Sequence, residues 1–412
     1  MDAEQFFAEA FTPESHADPY DLFRRMRESG PLIDAGLYTW LSFGHAEGWA
    51  VVRTPLGSSN EGRSTSRSLA PDRLEQNQEP KTLLFMDPPQ HTRLRSLVAK
   101  AFTPRTTDAM KERVAELTDG ILDSLSDRPA RSVIDIADEL AYPLPIQVIC
   151  EMLGIPTTDH NLFHDWSHAL TRGLDPAILR SDDDNHVVEQ ASAELGDYVN
   201  GLLQIRSADP RDDLISALLA ARDGDDRLTT EELIELVMLL LIAGHETTMG
   251  LIGNGVVALM EHRDQLELWH HNPELSGNAI EEILRYDSPV QMLQRTITAP
   301  FELGGRVISP GDQIIVSLAA CNRDPLVFTD PDRLDITRAN ANRHLSFGGG
   351  IHHCLGASLA RAEREIVLTN SWRDSPKLRC PASLNCVAAL YSAAAPTSPS
   401  PCGNVSSSSR TR

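Results

Sequence analysis

The chain has 412 residues, which is enough to bury a sizeable core in one large domain or in two to three smaller ones. Its formal net charge of -22 argues against a nucleic-acid partner and predicts a self-repelling, soluble surface. The six cysteines follow no disulfide-framework spacing, and the acidic, proline-broken N-terminus lacks the ~20 apolar residues of a membrane anchor. We therefore expect a cytoplasmic protein with no membrane partner.

The N-terminal part predicts a helix, a small sheet region and a long loop. The first predicted helix starts beside Pro19, because proline fits the first turn of a helix and residues 20–27 place apolar side chains on one face. Residues 37–42 and 50–52 are typical of pieces of strand and helix. Residues 56–81 are rich in Ser, Arg, Asn and Gln, which predicts a loop.

His91 and Arg95 lie one turn apart at the start of the next predicted helix, so their side chains share one helical face. Taken alone, such a pair is usually on the surface. Residues 107–222 are mostly helical in pattern and are interrupted by prolines, and we find no candidate chemistry there. Four histidines of this region are better interpreted as solvated than as metal ligands: His160, His164, His168 and His186.

The longest predicted helix begins with the capping box Thr229-x-x-Glu232 and continues towards His262, roughly 50 Å at 1.5 Å per residue. Its pattern is apolar nearly all round, which predicts a buried helix. We expect it not to span a membrane, because Glu235 and the polar cluster at residues 244–248 interrupt any 18-residue apolar stretch. Polar residues in the middle of a buried helix are costly to desolvate, and this indicates a function.

Glu282 and Arg285 lie three residues apart on another predicted helix, so their side chains can meet. On most helices such a pair is a surface ion pair worth about 0.5 kcal/mol. Residues 307–318, with a Pro-Gly turn at 310–311, predict strands further along the chain.

Cys354 is the centre of the most informative stretch, residues 344–356, and closely precedes a predicted helix. Unpaired N–H groups at a helix N-terminus lower a thiol pKa and so favour a thiolate metal ligand. Gly348, Gly350 and Gly356 lack Cβ atoms, which lets the backbone approach a large flat cofactor. A buried, inert cysteine in a tight turn is the alternative. Zinc is disfavoured, because three consecutive side chains cannot converge tetrahedrally on one ion and no Cys-x-x-Cys partner exists.

The string Phe-Gly-x-Gly-x-His-x-Cys-x-Gly at residues 347–356 resembles the heme-binding signature of the cytochrome P450 family at every fixed position. The resemblance implies heme b, iron protoporphyrin IX, with Cys354 as the axial thiolate and metal ligand. It also implies that Phe347 and His352 lie beside the cofactor. A thiolate ligand favours O–O bond cleavage and therefore implies oxygen activation.

Four residues of the long helix are similar to the oxygen-binding groove of this family: Ala243, Gly244, Glu246 and Thr247. The two small residues would leave room for O₂. Thr247 would hold a hydroxyl or a water, and Glu246 would relay protons to it from solvent. The alternative is a Thr247 hydroxyl bonded back to its own helix and a Glu246 carboxylate turned to solvent.

The resemblance also implies three cationic ligands for the heme propionates: His91, Arg95 and Arg295. Arginine suits bidentate recognition of a carboxylate, and histidine adds a hydrogen bond. Val290 would line the substrate pocket, and the loop at residues 56–81 would cover it.

Glu282-x-x-Arg285 resembles the near-universal Glu-x-x-Arg pair of the family. Its third member would be Arg333, which follows the sheet region. Leu334 stands where the family often has an aromatic residue, a mild departure. A buried carboxylate with two guanidinium groups would brace the fold behind the cysteine loop, and removing one member would leave a charge unpaired.

We therefore expect residues 1–370 to form a single heme-thiolate monooxygenase domain, mainly α with small β-sheets, in the triangular prism of the family. The enzyme would insert one atom of O₂ into a small organic substrate, with electrons from a separate ferredoxin and ferredoxin reductase. The alternative is a heme-binding protein without turnover, either a sensor or a damaged enzyme. The pair Glu246 and Thr247 favours the enzyme, because retaining heme does not require a proton relay.

Residues 371–412 depart from the family pattern. The sequence from Asn370 onward breaks the apolar period, and residues 380–412 are a mixture of Ala, Ser, Pro and Cys without strand alternation. We expect a disordered tail, and our hypothesis is a change of reading frame near Thr369. A genuine divergent tail is the alternative.

Overall fold

A computed structural model describes residues 3–10, 12, 14–15, 18–65, 82–101, 104–129, 134–172, 182–221 and 226–373. Within these residues the chain is mainly helical with small β-sheets, which confirms the predicted fold class. The prediction for the tail concerns residues 374–412 almost entirely, and these lie outside the described residues. Residues 66–81 of the predicted loop lie outside them as well.

The helices are, in chain order, α1 Ala3–Ala10, α2 Tyr20–Ser29, α3 His45–Arg53, α4 Gln90–Ala101, α5 Pro104–Ser126, α6 Pro143–Leu153, α7 His160–Arg172, α8 Asp182–Ala208, α9 Leu214–Ala220, α10 Thr230–Glu261, α11 Arg263–His271, α12 Ser276–Tyr286, α13 Leu318–Asn322 and α14 Ala357–Arg373. A π-helical segment, Ala137–Ala141, leads into α6. Short 3-10 turns include Glu61–Arg63, Ala341–Arg343 and Gly350–His352.

The N-terminal prediction was wrong in one respect, because α1 precedes the helix that begins at Tyr20. The buried Phe6 ring of α1 packs against Phe43, with ring centroids 5.3 Å apart. This contact with a distant residue stabilises a segment that its own composition does not mark as helical. Helix α2 buries Phe23 and Met26 in the same cluster.

The strands are β1 Leu32–Gly36, β2 Thr39–Ser42, β3 Gly57–Ser58, β4 Met292–Ile297, β5 Phe301–Leu303, β6 Arg306–Ile308 and β7 Gln313–Ser317. Five of them form one sheet in the order β1-β2-β7-β4-β3, and β5 and β6 form a hairpin. Strands β2 and β7 are parallel, with Leu41 opposite Ile315, and the other neighbours in the sheet are antiparallel. The register of β4 against β7 places Arg295 opposite Ile314, near the middle of the sheet.

Helix α10 begins and ends where the sequence predicts. The Thr229 side chain accepts from the N–H of Glu232, and the Glu232 carboxylate accepts from the N–H of Thr229, which is the predicted capping box. The helix contacts α6, α8 and α14, and its buried residues belong to three separate core clusters. It is therefore the central helix of the molecule.

The sequence argument that excluded a membrane span was wrong in its reason. Within the described residues, α10 is long and apolar enough to cross a membrane, with a mean hydropathy of 1.6 over its best window. Packing is what identifies its role, because α6, α8 and α14 surround it with protein. A core helix satisfies the same composition test as a membrane helix.

Candidate functional site

The loop that carries Cys354 is held by its own backbone. The N–H of Cys354 donates to the Phe347 carbonyl at 3.0 Å, and the N–H of Gly348 donates to the Leu345 carbonyl at 2.8 Å. Helix α14 begins three residues after the cysteine, as predicted. Of the cysteines in the described part of the chain, Cys354 is exposed, whereas Cys150 and Cys321 are buried. The loop therefore presents one accessible thiol.

The pKa of Cys354 does not fall as predicted. Desolvation by the surrounding protein raises the pKa of the thiol, while the N–H groups of Gly356 and Ala357 oppose that rise. The predicted effect of the helix N-terminus is thus present, but desolvation by the surrounding protein atoms outweighs it. Arg95 and Arg361 also lower the thiol pKa through their charge.

Two glycines of the loop serve close packing against α3. Gly350 has a left-handed φ of +63°, and a Cβ atom there would lie 2.8 Å from the backbone oxygen of Val52. A Cβ atom on Gly349 would lie 2.8 Å from the Val52 side chain. At Gly356, by contrast, an added Cβ would meet no described atom within 4 Å. The glycines thus fit the loop onto α3, and Gly356 alone of these three has free space beside it.

The Phe347 ring lies under the guanidinium of Arg361, which is 4.5 Å from the ring centroid. This cation–π contact joins the loop to α14. Arg361 also pairs with Glu281 of α12 at 2.6 Å, so the predicted aromatic wall is fixed from behind by an ion pair.

Two histidines and two arginines meet beside the cysteine loop. The rings of His91 and His352 lie 4.1 Å apart between centroids. Arg95 donates to the carbonyl of His353 at 2.7 Å, and Arg295 donates to the carbonyl of Gln294 at 2.7 Å. The sequence assigned all four to one cofactor, and the fold brings α4, β4 and the loop together at this point.

Three imidazole nitrogens of this cluster lack hydrogen-bond partners within the described residues. Both ring nitrogens of His91 and Nε2 of His352 are buried without a hydrogen bond. Burial, with the charges of Arg295, His91 and Arg95, lowers the pKa of His352 to about 3. Burial also lowers the pKa values of Arg95 and Arg295. A buried N–H group without an acceptor is costly, and a carboxylate would accept from one ring N–H of each histidine and from the arginines. The donor set therefore fits the two propionates of a heme.

Ala243 and Thr247 lie one turn apart on an open face of α10, and Ala243 is exposed. The Thr247 hydroxyl donates to the carbonyl of Ala243 at 2.6 Å. It is therefore bonded back to its own helix, as the alternative interpretation of Thr247 predicted. A Cβ atom on Gly244 would lie 3.4 Å from the Ile149 side chain of α6, which is an ordinary van der Waals distance, so Gly244 lies at the contact between α10 and α6.

Glu246 does not turn to solvent, contrary to the other half of that alternative. Its side chain is 12% exposed and accepts a hydrogen bond from the Ser167 hydroxyl at 3.2 Å. Ser167 lies on α7, and its Oγ is also 2.9 Å from Nδ1 of the fully buried His245. The sequence contained no signal for Ser167, because nearly 80 residues separate it from Glu246.

Glu282 and Arg285 are fully buried and form a bidentate pair, with N···O distances of 2.7 and 2.8 Å. The prediction that Arg333 is the third member of this group is wrong. Its side chain is exposed, and only its backbone carbonyl reaches the group, accepting from Arg285 and from Arg338. Arg338 supplies the second guanidinium, with Nε 3.1 Å from both Glu282 oxygens.

The path of the chain explains why Arg338 takes the place that was predicted for Arg333. The turn that precedes Arg333 contains Asp330 with a left-handed φ of +46°. After this turn, the N–H of Asp335 donates to Glu282 at 2.9 Å. The following residues lead back towards Glu282, so the side chain of Arg338 points inward and the side chain of Arg333 does not.

Asn322 links this buried group to the cysteine loop. Its carbonyl accepts from Arg285 at 3.0 Å, and its side chain donates to Ser346 at 2.9 Å and accepts from the N–H of Leu345 at 2.7 Å. The sequence analysis did not assign Asn322 a role. The Glu282 group thus supports the loop through one buried asparagine.

Val290, the predicted pocket residue, is 38% exposed and stands just before β4. Met292, at the start of β4, is equally exposed. Two apolar side chains therefore remain accessible on the segment that carries Arg295.

The comparisons with known proteins agree with this geometry. A family model described as Cytochrome P450 matches residues 59–272 and 274–373. The Vitamin D(3) 25-hydroxylase of Pseudonocardia autotrophica is 45% identical over 298 residues, which are 72% of this chain and 71% of that protein. Cytochrome P450 monooxygenase PikC of Streptomyces venezuelae is 40% identical over 369 residues, or 88% of this chain and 85% of that protein. The ligand-free structure of Mycobacterium smegmatis CYP164A2 is similar with a TM-score of 0.81 and 36% identity, over 89% of this chain and 92% of that one.

Proposed function

We propose, for a chain that belongs to the cytochrome P450 family, that Cys354 would supply the thiolate ligand of its heme and that the residues gathered around it serve one monooxygenase site. The enzyme is a heme-thiolate monooxygenase that uses O₂, an organic substrate and redox partners. One observation supports the placement of the cofactor. The buried, unbonded nitrogens of His91 and His352 lie beside the accessible Cys354.

The heme-thiolate group, when bound, supplies the activation of O₂. His91, Arg95 and Arg295 bind the propionates, and His352 packs against His91 and adds Nε2 as a further donor. Arginine contributes charge-assisted hydrogen bonds to each carboxylate. Phe347 stays fixed by Arg361 and holds the loop on which Cys354 sits.

Thr247, on the open face of α10, and the neighbouring Glu246, beside α7, handle protons. The Thr247 hydroxyl donates to Ala243, and its oxygen can still accept a hydrogen bond, because a hydroxyl has two lone pairs. We infer that it positions a water there and that Glu246 delivers protons towards it. Ala243 lines this face and, together with Gly244, would leave room for O₂.

The substrate is a small organic molecule that contacts Val290. The exposed apolar side chains of Val290 and Met292 support an apolar contact surface beside Arg295. The related enzymes are named for different substrates, so their names do not identify the one used here.

Electrons come from a ferredoxin and its reductase. The exposed Arg53 flanks the Cys354 loop, and its backbone lies against Gly350. On a chain whose net charge is -22, this local positive charge is suited to an acidic ferredoxin. We infer a cytoplasmic location and a single domain over residues 1–370.

A carbon monoxide difference spectrum of the reduced protein tests the proposal. Wild type and the matched control Cys150→Ala should give the red-shifted Soret band of thiolate ligation, because Cys150 is buried elsewhere. Cys354→Ser should lose that band, since a serine hydroxyl stays protonated. A thiolate band that persists in Cys354→Ser, or an imidazole-type band in the wild type, would overturn the assignment.

A further inference from the structure

We propose that Ser167 is a positioning residue for Glu246, and that its hydroxyl joins Glu246 to His245 so that the carboxyl has a hydrogen-bond partner in both of its protonation states. This inference rests on the proton role proposed above for Glu246. It adds to that site two residues, Ser167 and His245, to which no role has been assigned.

The geometry makes Ser167 the bridge. Its Oγ lies 2.9 Å from Nδ1 of His245 and 3.2 Å from Oε1 of Glu246. His245 Nδ1 and Glu246 Oε1 are themselves 3.6 Å apart, which is too far for an ordinary hydrogen bond. The hydroxyl therefore makes the connection that the two neighbours do not make directly.

A hydroxyl can donate one hydrogen and accept others, so two arrangements are available. In the first, His245 Nδ1–H donates to Ser167, and Ser167 donates to the Glu246 carboxylate. In the second, the protonated Glu246 donates to Ser167, and Ser167 donates to the bare Nδ1 of His245. The second arrangement holds one proton more than the first: Glu246 takes that proton up from solvent, and the hydrogen of the neutral His245 ring moves from Nδ1 to Nε2.

The surroundings are poorly solvated, which makes each of these hydrogen bonds stronger. His245 is fully buried and its ring contacts the edge of Tyr142, with centroids 4.5 Å apart. Burial raises the pKa of Tyr142, and the charges of Glu246 and Asp165 raise it further. His245 on its own helix and Tyr142 before α6 are thus titratable groups that face Glu246, and Asp165 of α7 acts with Glu246 on Tyr142.

The bridge also joins two elements of the fold. Glu246 and His245 belong to α10, whereas Ser167 belongs to α7. The position of α7 therefore decides whether the carboxyl of Glu246 stays beside its partner.

The experiment follows the titration of Glu246 in the purified holoprotein by infrared difference spectroscopy. The carboxyl C=O band of Glu246 is identified as the band that disappears in Glu246→Gln. Ser167→Ala removes the bridge, and Ser167→Thr restores a hydroxyl. Thr118→Val is the matched control, because Thr118 is a fully buried hydroxyl whose bond goes to the Val114 carbonyl of its own helix. Heme content and circular dichroism show that each variant is folded.

We expect Ser167→Ala to shift the titration of Glu246 upward by about one pH unit, because a hydrogen bond to a charged carboxylate is stronger than one to the neutral acid. Ser167→Thr should restore the titration midpoint of Glu246 to its wild-type pH, and Thr118→Val should leave that midpoint unchanged. A titration in folded Ser167→Ala that matches the wild type within about 0.3 pH unit would overturn the inference.

A second measurement separates this inference from the proposed function. Peroxide formed per NAD(P)H consumed is compared between wild type and Glu246→Gln, with ferredoxin and its reductase as donors. An unchanged ratio would refute the proton role of Glu246, whatever the infrared result. An increased ratio in Glu246→Gln together with a normal titration in Ser167→Ala would refute the positioning role alone.

Discussion

Replacing Arg338 by methionine should destabilise the protein strongly, whereas replacing Arg333 should not. Arg338 is 8% exposed, and its Nε donates to both oxygens of Glu282. Its terminal nitrogens donate to the carbonyls of Thr329, Asp330 and Arg333. Methionine keeps most of the length and apolar volume but none of these donors.

The expected loss follows from these contacts. Without Arg338, the buried Glu282 keeps the guanidinium of Arg285 and the N–H of Asp335. The carbonyls of Asp330 and Arg333 keep other donors, so the loss comes mainly from the ion pair. Breaking a buried ion pair by removing one partner costs about 3–5 kcal/mol, and we expect the low end of this range because Arg285 still balances the charge of Glu282. An exposed side chain such as Arg333 should change stability by no more than about 0.5 kcal/mol.

Urea unfolding followed by circular dichroism and by heme absorbance measures both variants. With a slope of about 3 kcal/mol/M, Arg338→Met should lower the midpoint by about 1 M or more. Arg333→Met is the matched control, because it removes an arginine from the same turn. Equal losses in both variants, or a greater loss in Arg333→Met, would refute the reasoning.

Three further predictions concern the loop, the open face of α10 and a buried acid. Gly350→Ala should yield little heme-loaded protein, because its Cβ would lie 2.8 Å from the Val52 carbonyl oxygen at a left-handed φ. The control Gly356→Ala should leave the stability of the heme-free protein unchanged. Normal heme loading in Gly350→Ala would contradict the prediction. Thr247→Ala should retain heme but send more electrons to peroxide, which peroxide per NAD(P)H consumed would show; an unchanged ratio would count against it. Burial raises the pKa of Glu363 to about 8. The stability that the protonated carboxyl contributes is therefore complete below about pH 4.5 and declines as pH rises towards 8, by at most ~1.4 kcal/mol per pH unit. Urea unfolding between pH 5 and 8 should therefore show a smaller decline in Glu363→Gln, and parallel curves for the two proteins would disprove it.

The sequence by itself determined the parts of the site that depend on spacing along one segment. The Cys354 loop, the capping box of α10 and the pairing of Glu282 with Arg285 each lie within a few residues, where backbone geometry fixes which side chains can meet. The predicted cluster around His91 also assembled. That prediction depended on the family resemblance, because no local rule relates α4 to β4.

Tertiary structure decided which distant groups complete each local feature. Arg338 replaces Arg333 beside Glu282 because a left-handed turn redirects the chain, and single-sequence spacing carries no information about that path. The same holds for Ser167 beside Glu246 and for the surroundings of α10, whose composition fits either a membrane or a protein core. Burial likewise reversed the expected pKa direction of Cys354, because desolvation depends on all the atoms that surround a group and not on its neighbours in sequence.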